Sequence, residues 1–199
     1  MNRKAAKGKN WQDHYTRRAK KDKYPARSVY KLEEIQKKHH LIQKGHKVLD
    51  LGCFPGSWLL YAARQTGDSG QVVGIDLKPV SIQIPSHVKL LTGDVLNLAA
   101  ETLDKGFNVV LSDMAPATTG NKTVDTARSI NLCEMALYIA RTVLVPDGSF
   151  VCKVFQGSDF SSFSEEVRKS FKACKIFKPK SSRKASKEIF VIGFGFKQN

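Results

Sequence analysis

Lys153 stands inside an apolar run, Phe150-Val151-Cys152-Lys153-Val154-Phe155. Lysine is rarely buried without a partner. Burial lowers the pKa of its ammonium group, and a neighbouring cation lowers it further. A lysine brought from about 10.4 toward neutrality can accept a proton as a general base. A lysine on a solvent-facing edge strand is the plain alternative. Two more residues can converge on it. Lys31 lies beside the apolar stripe Val29, Leu32 and Ile35 of a predicted helix, and Glu188 opens the last apolar run of the chain. Asp50, Asp76, Asp94 and Asp113 fall at or near the ends of predicted strands. Any one of them can be read as a cap or turn residue. Four in step with successive strand ends form a pattern that one such residue does not.

The elements that would position these side chains start at Val48-Leu49-Asp50-Leu51-Gly52-Cys53-Phe54-Pro55-Gly56-Ser57-Trp58. A short apolar strand runs into a glycine-bearing turn, and a helical pattern follows from about Ser57 to Gln65. The glycines let backbone approach a ligand without an intervening Cβ, and a helix start offers unpaired N–H groups. Open α/β sheets bind nucleotides at such a strand-to-helix turn. The spelling is not G-x-G-x-x-G, and a tight turn without a ligand is the alternative at this point.

Strands and helices alternate beyond it, the mark of an α/β fold with a mostly parallel sheet. Strands are predicted at 71–77, 87–92, 107–111, 149–155, 174–178 and 188–196. Helices are predicted at 25–39, briefly at 97–103, and at 126–145, where Pro146-Asp147-Gly148 stops the chain. A further helix, capped by Asp159, would put Phe160, Phe163, Val167 and Phe171 on one core-facing side. A mostly polar loop is expected at 117–122. Asp76 follows the glycine turn by about a βαβ half-unit, where a carboxylate can accept both ribose hydroxyls of an adenosine. Asp94, after Gly93, can meet the adenine amino group.

The chain has 199 residues and a formal net charge of +15. Residues 1–47 carry a net +11, residues 48–167 a net −5 and residues 168–199 a net +9. An acidic centre between basic ends favours a polyanionic partner, nucleic acid before membrane. Residues 1–24 are expected to be a basic arm, its first ten or so disordered, with Trp11 and Tyr15 either stacking on RNA bases or anchoring the arm. Residues 25–199 are expected to be a single domain, and the protein a monomer. No apolar run approaches membrane-spanning length, and the N-terminus has no hydrophobic stretch of the secretory kind, so a cytoplasmic protein is expected. Cys53, Cys133, Cys152 and Cys174 include no C-x-x-C pair and are expected to be reduced, mostly buried thiols rather than zinc ligands.

The glycine turn resembles the first motif of S-adenosylmethionine-dependent methyltransferases, D-x-G-x-x-P-G-x-W. More of the chain resembles the FtsJ/RlmE family of ribosomal RNA 2′-O-methyltransferases. The matching segments, in order, are 26–35 (ARSVYKLEEI), 49–58 (LDLGCFPGSW), 74–77 (GIDL), 93–95 (GDV), 111–116 (LSDMAP), 152–157 (CKVFQG) and 182–192 (SRKASKEIFVI). Cys53-Phe54 stands where the family often has two small residues, and Ser57 where it often has glycine. The resemblance implies a Rossmann-like methyltransferase sheet of about seven strands, the last antiparallel, with helices on both faces. It implies a Lys31, Asp113, Lys153 and Glu188 tetrad, and S-adenosylmethionine held by Gly52, Gly56, Trp58, Asp76, Asp94 and Asp113. It also implies a uridine 2′-oxygen of large-subunit ribosomal RNA as acceptor, reached through the basic terminal segments. Related enzymes use the same tetrad on tRNA anticodon loops and on RNA caps. A non-catalytic RNA-binding module and an NAD-dependent oxidoreductase are the readings from other classes. The complete set of tetrad positions speaks against the first, and the missing G-x-G-x-x-G against the second.

Overall fold

The computed structural model describes residues 14–116, 122–157, 159–183 and 186–198. The expectations for the first ten residues, Trp11 and most of the polar loop at 117–122 lie outside them. The described chain begins with helix α1 (residues 14–21) and continues as α2 (Val29–His39), β1 (Lys47–Leu51), α3 (Ser57–Thr66), β2 (Gln71–Asp76) and β3 (Val88–Thr92). Then come β4 (Phe107–Ser112), α4 (Lys122–Val143), β5 (Leu144–Phe155), α5 (Phe160–Ser170), β6 (Phe171–Phe177) and β7 (Glu188–Phe196).

The strands form one seven-stranded sheet in the order β3-β2-β1-β4-β5-β7-β6. Strands β1 to β5 pair in parallel, and β7 runs antiparallel between β5 and β6. The final strand is thus the one reversed strand, as expected, but it is interior, and β6 forms the edge. Strand order changes direction between β1 and β4, and the crevice at their carboxyl ends is the topological switch point.

Both faces are covered. Leu49, Leu51, Val110, Phe150 and Val154 pack under α4 and α5. Val48, Val109, Leu111, Val151 and Ile192 pack under α2 and α3, joined by Ala19 of α1. The interior strands β1, β2, β4, β5 and β7 read as near-continuous apolar runs because they bury both faces, whereas the edge strands β3 and β6 are partly exposed.

Several boundaries differ from the sequence expectation. The first predicted helix starts at Val29 rather than Pro25, because tertiary bonds claim the preceding backbone. The Ala26 N–H donates to Ser57 Oγ at 2.7 Å, and the Ser28 carbonyl accepts from Trp58 Nε1 at 2.9 Å. The short helix near 97–103 is two single 3₁₀ turns, the first capped by the Asp94 side chain. Helix α4 ends at Val143, and the chain passes straight into β5. Leu144 pairs with Phe107, Val145–Gly148 bulge out with Asp147 at φ 63°, and pairing resumes at Ser149 opposite Val109. Asp159 stands at the start of α5 but makes no side-chain capping bond. Phe171 leaves the helix with extended backbone and opens β6, where it pairs with Phe196 and stays buried.

Candidate active site

Register places the acidic residues. Asp50 on β1 lies opposite Gly74 of β2 and Leu111 of β4. Asp76 and Asp113 stand two positions further along those neighbours. Side chains two apart on a strand share a face, so the three carboxyls face the α2/α3 side, with Asp50 one step deeper.

The glycine turn follows. Gly52 and Gly56 take positive φ angles of 76° and 104°, which favour a residue without Cβ. A Cβ on Gly52 would come within 2.4 Å of Met114 Cγ, and one on Gly56 within 2.3 Å of Ile82 Cδ1. The Gly52 and Cys53 N–H groups both bond the Ile75 carbonyl, tying the turn to β2. The Asp76 carboxylate accepts from Phe54 N–H and Lys78 N–H, both at 2.9 Å. One bond per oxygen leaves lone pairs free on each. Asp94 accepts from Leu96 N–H at 3.0 Å and Asn97 Nδ2 at 2.9 Å. It therefore caps its turn while standing beside Asp76, whose strand partner is Thr92.

Trp58 turns its side chain into the core. Its side chain is buried, stacked on Phe190 with ring centres 5.7 Å apart, and its Nε1–H is spent on Ser28. Ring and indole nitrogen are withdrawn from the cleft. What Trp58 can offer a ligand is its backbone, in the first turn of α3 where N–H groups lack an intrahelical partner.

Lys31, Asp113, Lys153 and Glu188 come from α2, the loop after β4, β5 and the start of β7, and they meet in one chain of alternating charge. Lys31 Nζ donates to Glu188 Oε2 at 3.0 Å and stands 3.5 Å from Asp113 Oδ1. Lys153 Nζ is 3.0 Å from the same Asp113 oxygen and also donates to the Asp113 backbone carbonyl. Neither lysine makes a well-aligned hydrogen bond to Asp113 Oδ1, so those two contacts are ion pairs only. The four side chains are 8–15% exposed, enough for a substrate to reach them and too little for water to screen them. The Lys153 backbone carbonyl accepts from the thiol of Cys133 at 3.2 Å, which fixes the strand beneath the lysine.

Two contributors escape a reading by residue type alone. Ser57 Oγ accepts from the Ala26 N–H and donates to the Ala26 carbonyl at 3.1 Å, pinning the segment before α2 to the glycine turn. Glu34 accepts from the backbone N–H groups of Lys180 and Ser181 at 2.7 and 2.8 Å. Arg27 donates to the Ser181 carbonyl at 2.8 Å, so the basic loop before β7 is seated beside α2 and the tetrad. A lone serine and a surface glutamate carry no pattern that would have exposed them. Tyr15 packs on Tyr30 with ring centres 5.3 Å apart, which holds α1 against the domain.

A mostly parallel sheet with a glycine turn at its switch point and acidic residues on the adjoining strand ends defines a Rossmann-like α/β protein with its ligand cleft at the carboxyl ends. The chain belongs to the FtsJ-like methyltransferase family, whose family model matches residues 24–196. It is 53% identical over 194 residues to a ribosomal RNA large subunit methyltransferase E of Desulforapulum autotrophicum, covering 96% of each chain. It is 55% identical over 195 residues to the protein of that name in Desulfatibacillum aliphaticivorans, covering 96% of this chain and 94% of that one. Among solved structures, a Plasmodium falciparum protein described as a ribosomal RNA methyltransferase superposes with a TM-score of 0.75 at 26% identity, covering 87% of this chain and 98% of that one. The Methanococcus jannaschii fibrillarin structure shares the fold, with a TM-score of 0.54 at 16% identity over 78% of this chain and 69% of that one.

Proposed function

We propose that the protein transfers a methyl group from S-adenosylmethionine to a ribose 2′-hydroxyl, that of a uridine in large-subunit ribosomal RNA. The observation that carries this reading is the meeting of Lys31, Asp113, Lys153 and Glu188 in one partly buried ion-pair chain beside the glycine turn. The names of the relatives at 53% and 55% identity support the ribosomal substrate.

The residues of the cleft fit the cofactor. Asp76 keeps a free lone pair on each oxygen for two vicinal hydroxyls, Asp94 would take the adenine amino group, and Gly52 and Gly56 sit where no side chain can grow. Asp113 and the backbone at Trp58 complete the set. The bound cofactor supplies an electrophilic methyl on a sulfonium centre. The chain's own residues do the rest. Lys153 is the group that takes up the proton lost by the attacking hydroxyl. Lys31, held by Glu188 and Asp113, steadies the negative charge developing on the ribose oxygen. Asp113 orients both lysines, and Glu188 fixes the first. Much of the acceleration then comes from holding hydroxyl and methyl in line.

The basic loop before β7, with Arg27 and α1 beside it, supports RNA entry on the tetrad side. Incubating the purified protein with cofactor labelled in its methyl group and undermethylated ribosomal particles, then digesting to nucleosides, tests the reaction. Label on 2′-O-methyluridine is expected. Label on a base, or none, would refute it.

A further inference from the structure

Asp50 is 1% exposed, and its Oδ2 has no hydrogen-bond partner. Buried polar groups are normally satisfied, and an isolated buried carboxylate is among the most costly groups a core can hold. Its surroundings do not relieve it. Across β2 stands Asp76, beyond β4 stands Asp113, and in the turn above sits the Cys53 thiol. Lys31 and Lys153 direct their ammonium groups to Asp113 and Glu188 instead. Among the described residues none forms an ion pair with Asp50. The neighbour opposite it on β2 is Gly74, whose missing side chain leaves its place to Cys53 and Leu59. Asp50 thus lies under the glycine turn at the switch point, a carboxyl whose pKa is pushed well above the usual aspartate range by burial, then by the nearby Asp113 and Asp76. The tetrad reaction does not use it.

We propose that Asp50 is the counter-ion by which this site distinguishes a cationic sulfonium donor from its neutral thioether product, binding the donor with release of a proton. The proposal rests on the methyltransferase reading above. A positive charge entering the cleft favours the ionised form of every nearby carboxyl, and Asp50 is the buried, unpartnered one whose ionisation the fold opposes. Its O–H bond breaks, the electron pair stays on the carboxylate, and the proton passes to the buffer. Once the methyl group leaves, the sulfur is neutral, the attraction is lost and Asp50 is reprotonated. Release of the spent cofactor is thereby favoured over release of the fresh one.

Isothermal titration calorimetry on the full-length protein tests this in three buffers of different ionisation enthalpy at one pH. The ligands are S-adenosylmethionine, S-adenosylhomocysteine and the amine analogue sinefungin. The apparent enthalpy of the two cationic ligands is expected to vary with the buffer, and that of S-adenosylhomocysteine not to vary. In Asp50→Asn the buffer dependence disappears, and affinity for the cationic ligands falls by about tenfold or more, while that for the product stays within about twofold. Equal losses for all three ligands would mark a structural role and overturn the proposal. Buffer-independent binding of S-adenosylmethionine by the wild type would also overturn it, even if the variant does not fold. Failure of all three ligands to bind would instead refute the cofactor assignment itself.

Discussion

Lys31 lies between two carboxylates and Lys153 touches one, so the four residues differ in what their loss removes. Lys153→Ala deletes the proton acceptor but leaves Asp113 its contact with Lys31. Cofactor affinity is expected to survive and methyl transfer to fall about 10²-fold or more, measured as single-turnover rates with saturating cofactor. Asp76→Ala should do the opposite. Charge-assisted bonds to the ribose hydroxyls contribute about 1.5–3 kcal/mol each, so cofactor binding weakens by tenfold or more, and unchanged affinity in a titration would remove Asp76 from the site. Asp50 gives a pH signature. Its pKa in the folded chain is raised, first by burial and then by Asp113 and Asp76. Between the ordinary aspartate range and that raised value the folded state holds a proton that the unfolded state has shed, so stability falls as pH rises through the window. Asp50→Asn lacks this term. Urea midpoints measured from acid to neutral pH should therefore show the variant gaining on the wild type as pH rises, and a constant offset would contradict the shift.

At the scale of elements, the tie between α3 and the segment before α2 matters most, since it places Lys31. Ser57→Ala leaves the Ala26 N–H and carbonyl without their partner, which costs about 1–3 kcal/mol. At about 2–4 °C per kcal/mol for a chain of this size, Tm should drop by several degrees in a thermal melt, with methyl transfer falling further than cofactor affinity. The glycine turn, Asp76, Asp94 and the lysine inside β5 were legible in the chain because each stands at a fixed step of the strand–helix alternation. The position of β7 between β5 and β6 was not, since pairing partners leave no local trace in an apolar run. The true start of α2 was hidden for a related reason. Residues 25–28 continue a helical pattern, but their backbone groups are claimed by Ser57 and Trp58, thirty residues away in sequence. Trp58 itself reads as part of the ligand motif, and only packing reveals that its ring belongs to the core.

Over the whole molecule, charge and burial divide the work. Cys53, Cys133 and Cys152 are buried, and Cys174 on the edge strand is half-buried. Burial pushes the Cys53, Cys152 and Cys174 thiols up, away from the reactive thiolate, so access decides among them. Alkylation of the native protein near neutral pH should mark Cys174 first, and rapid labelling of Cys53 would show that the turn opens. No helix among the described residues is long and apolar enough to cross a membrane. The net +11 and +9 of the terminal segments flank a centre of net −5. The logarithm of the RNA affinity should fall linearly with the logarithm of salt concentration, with a slope of about 0.7 per phosphate contacted on a single strand. Cofactor affinity should barely respond, and anisotropy titrations across a potassium chloride series separate the two. The central claim is that Lys153 takes the proton from a ribose 2′-hydroxyl. Its most direct test is nucleoside mass spectrometry of undermethylated large ribosomal subunits after incubation with cofactor and either the wild type or Lys153→Ala. The expected result is 2′-O-methyluridine with the wild type and none above background with the variant, both proteins binding cofactor equally. Full 2′-O-methylation by Lys153→Ala, or methylation of a base by the wild type, would contradict it.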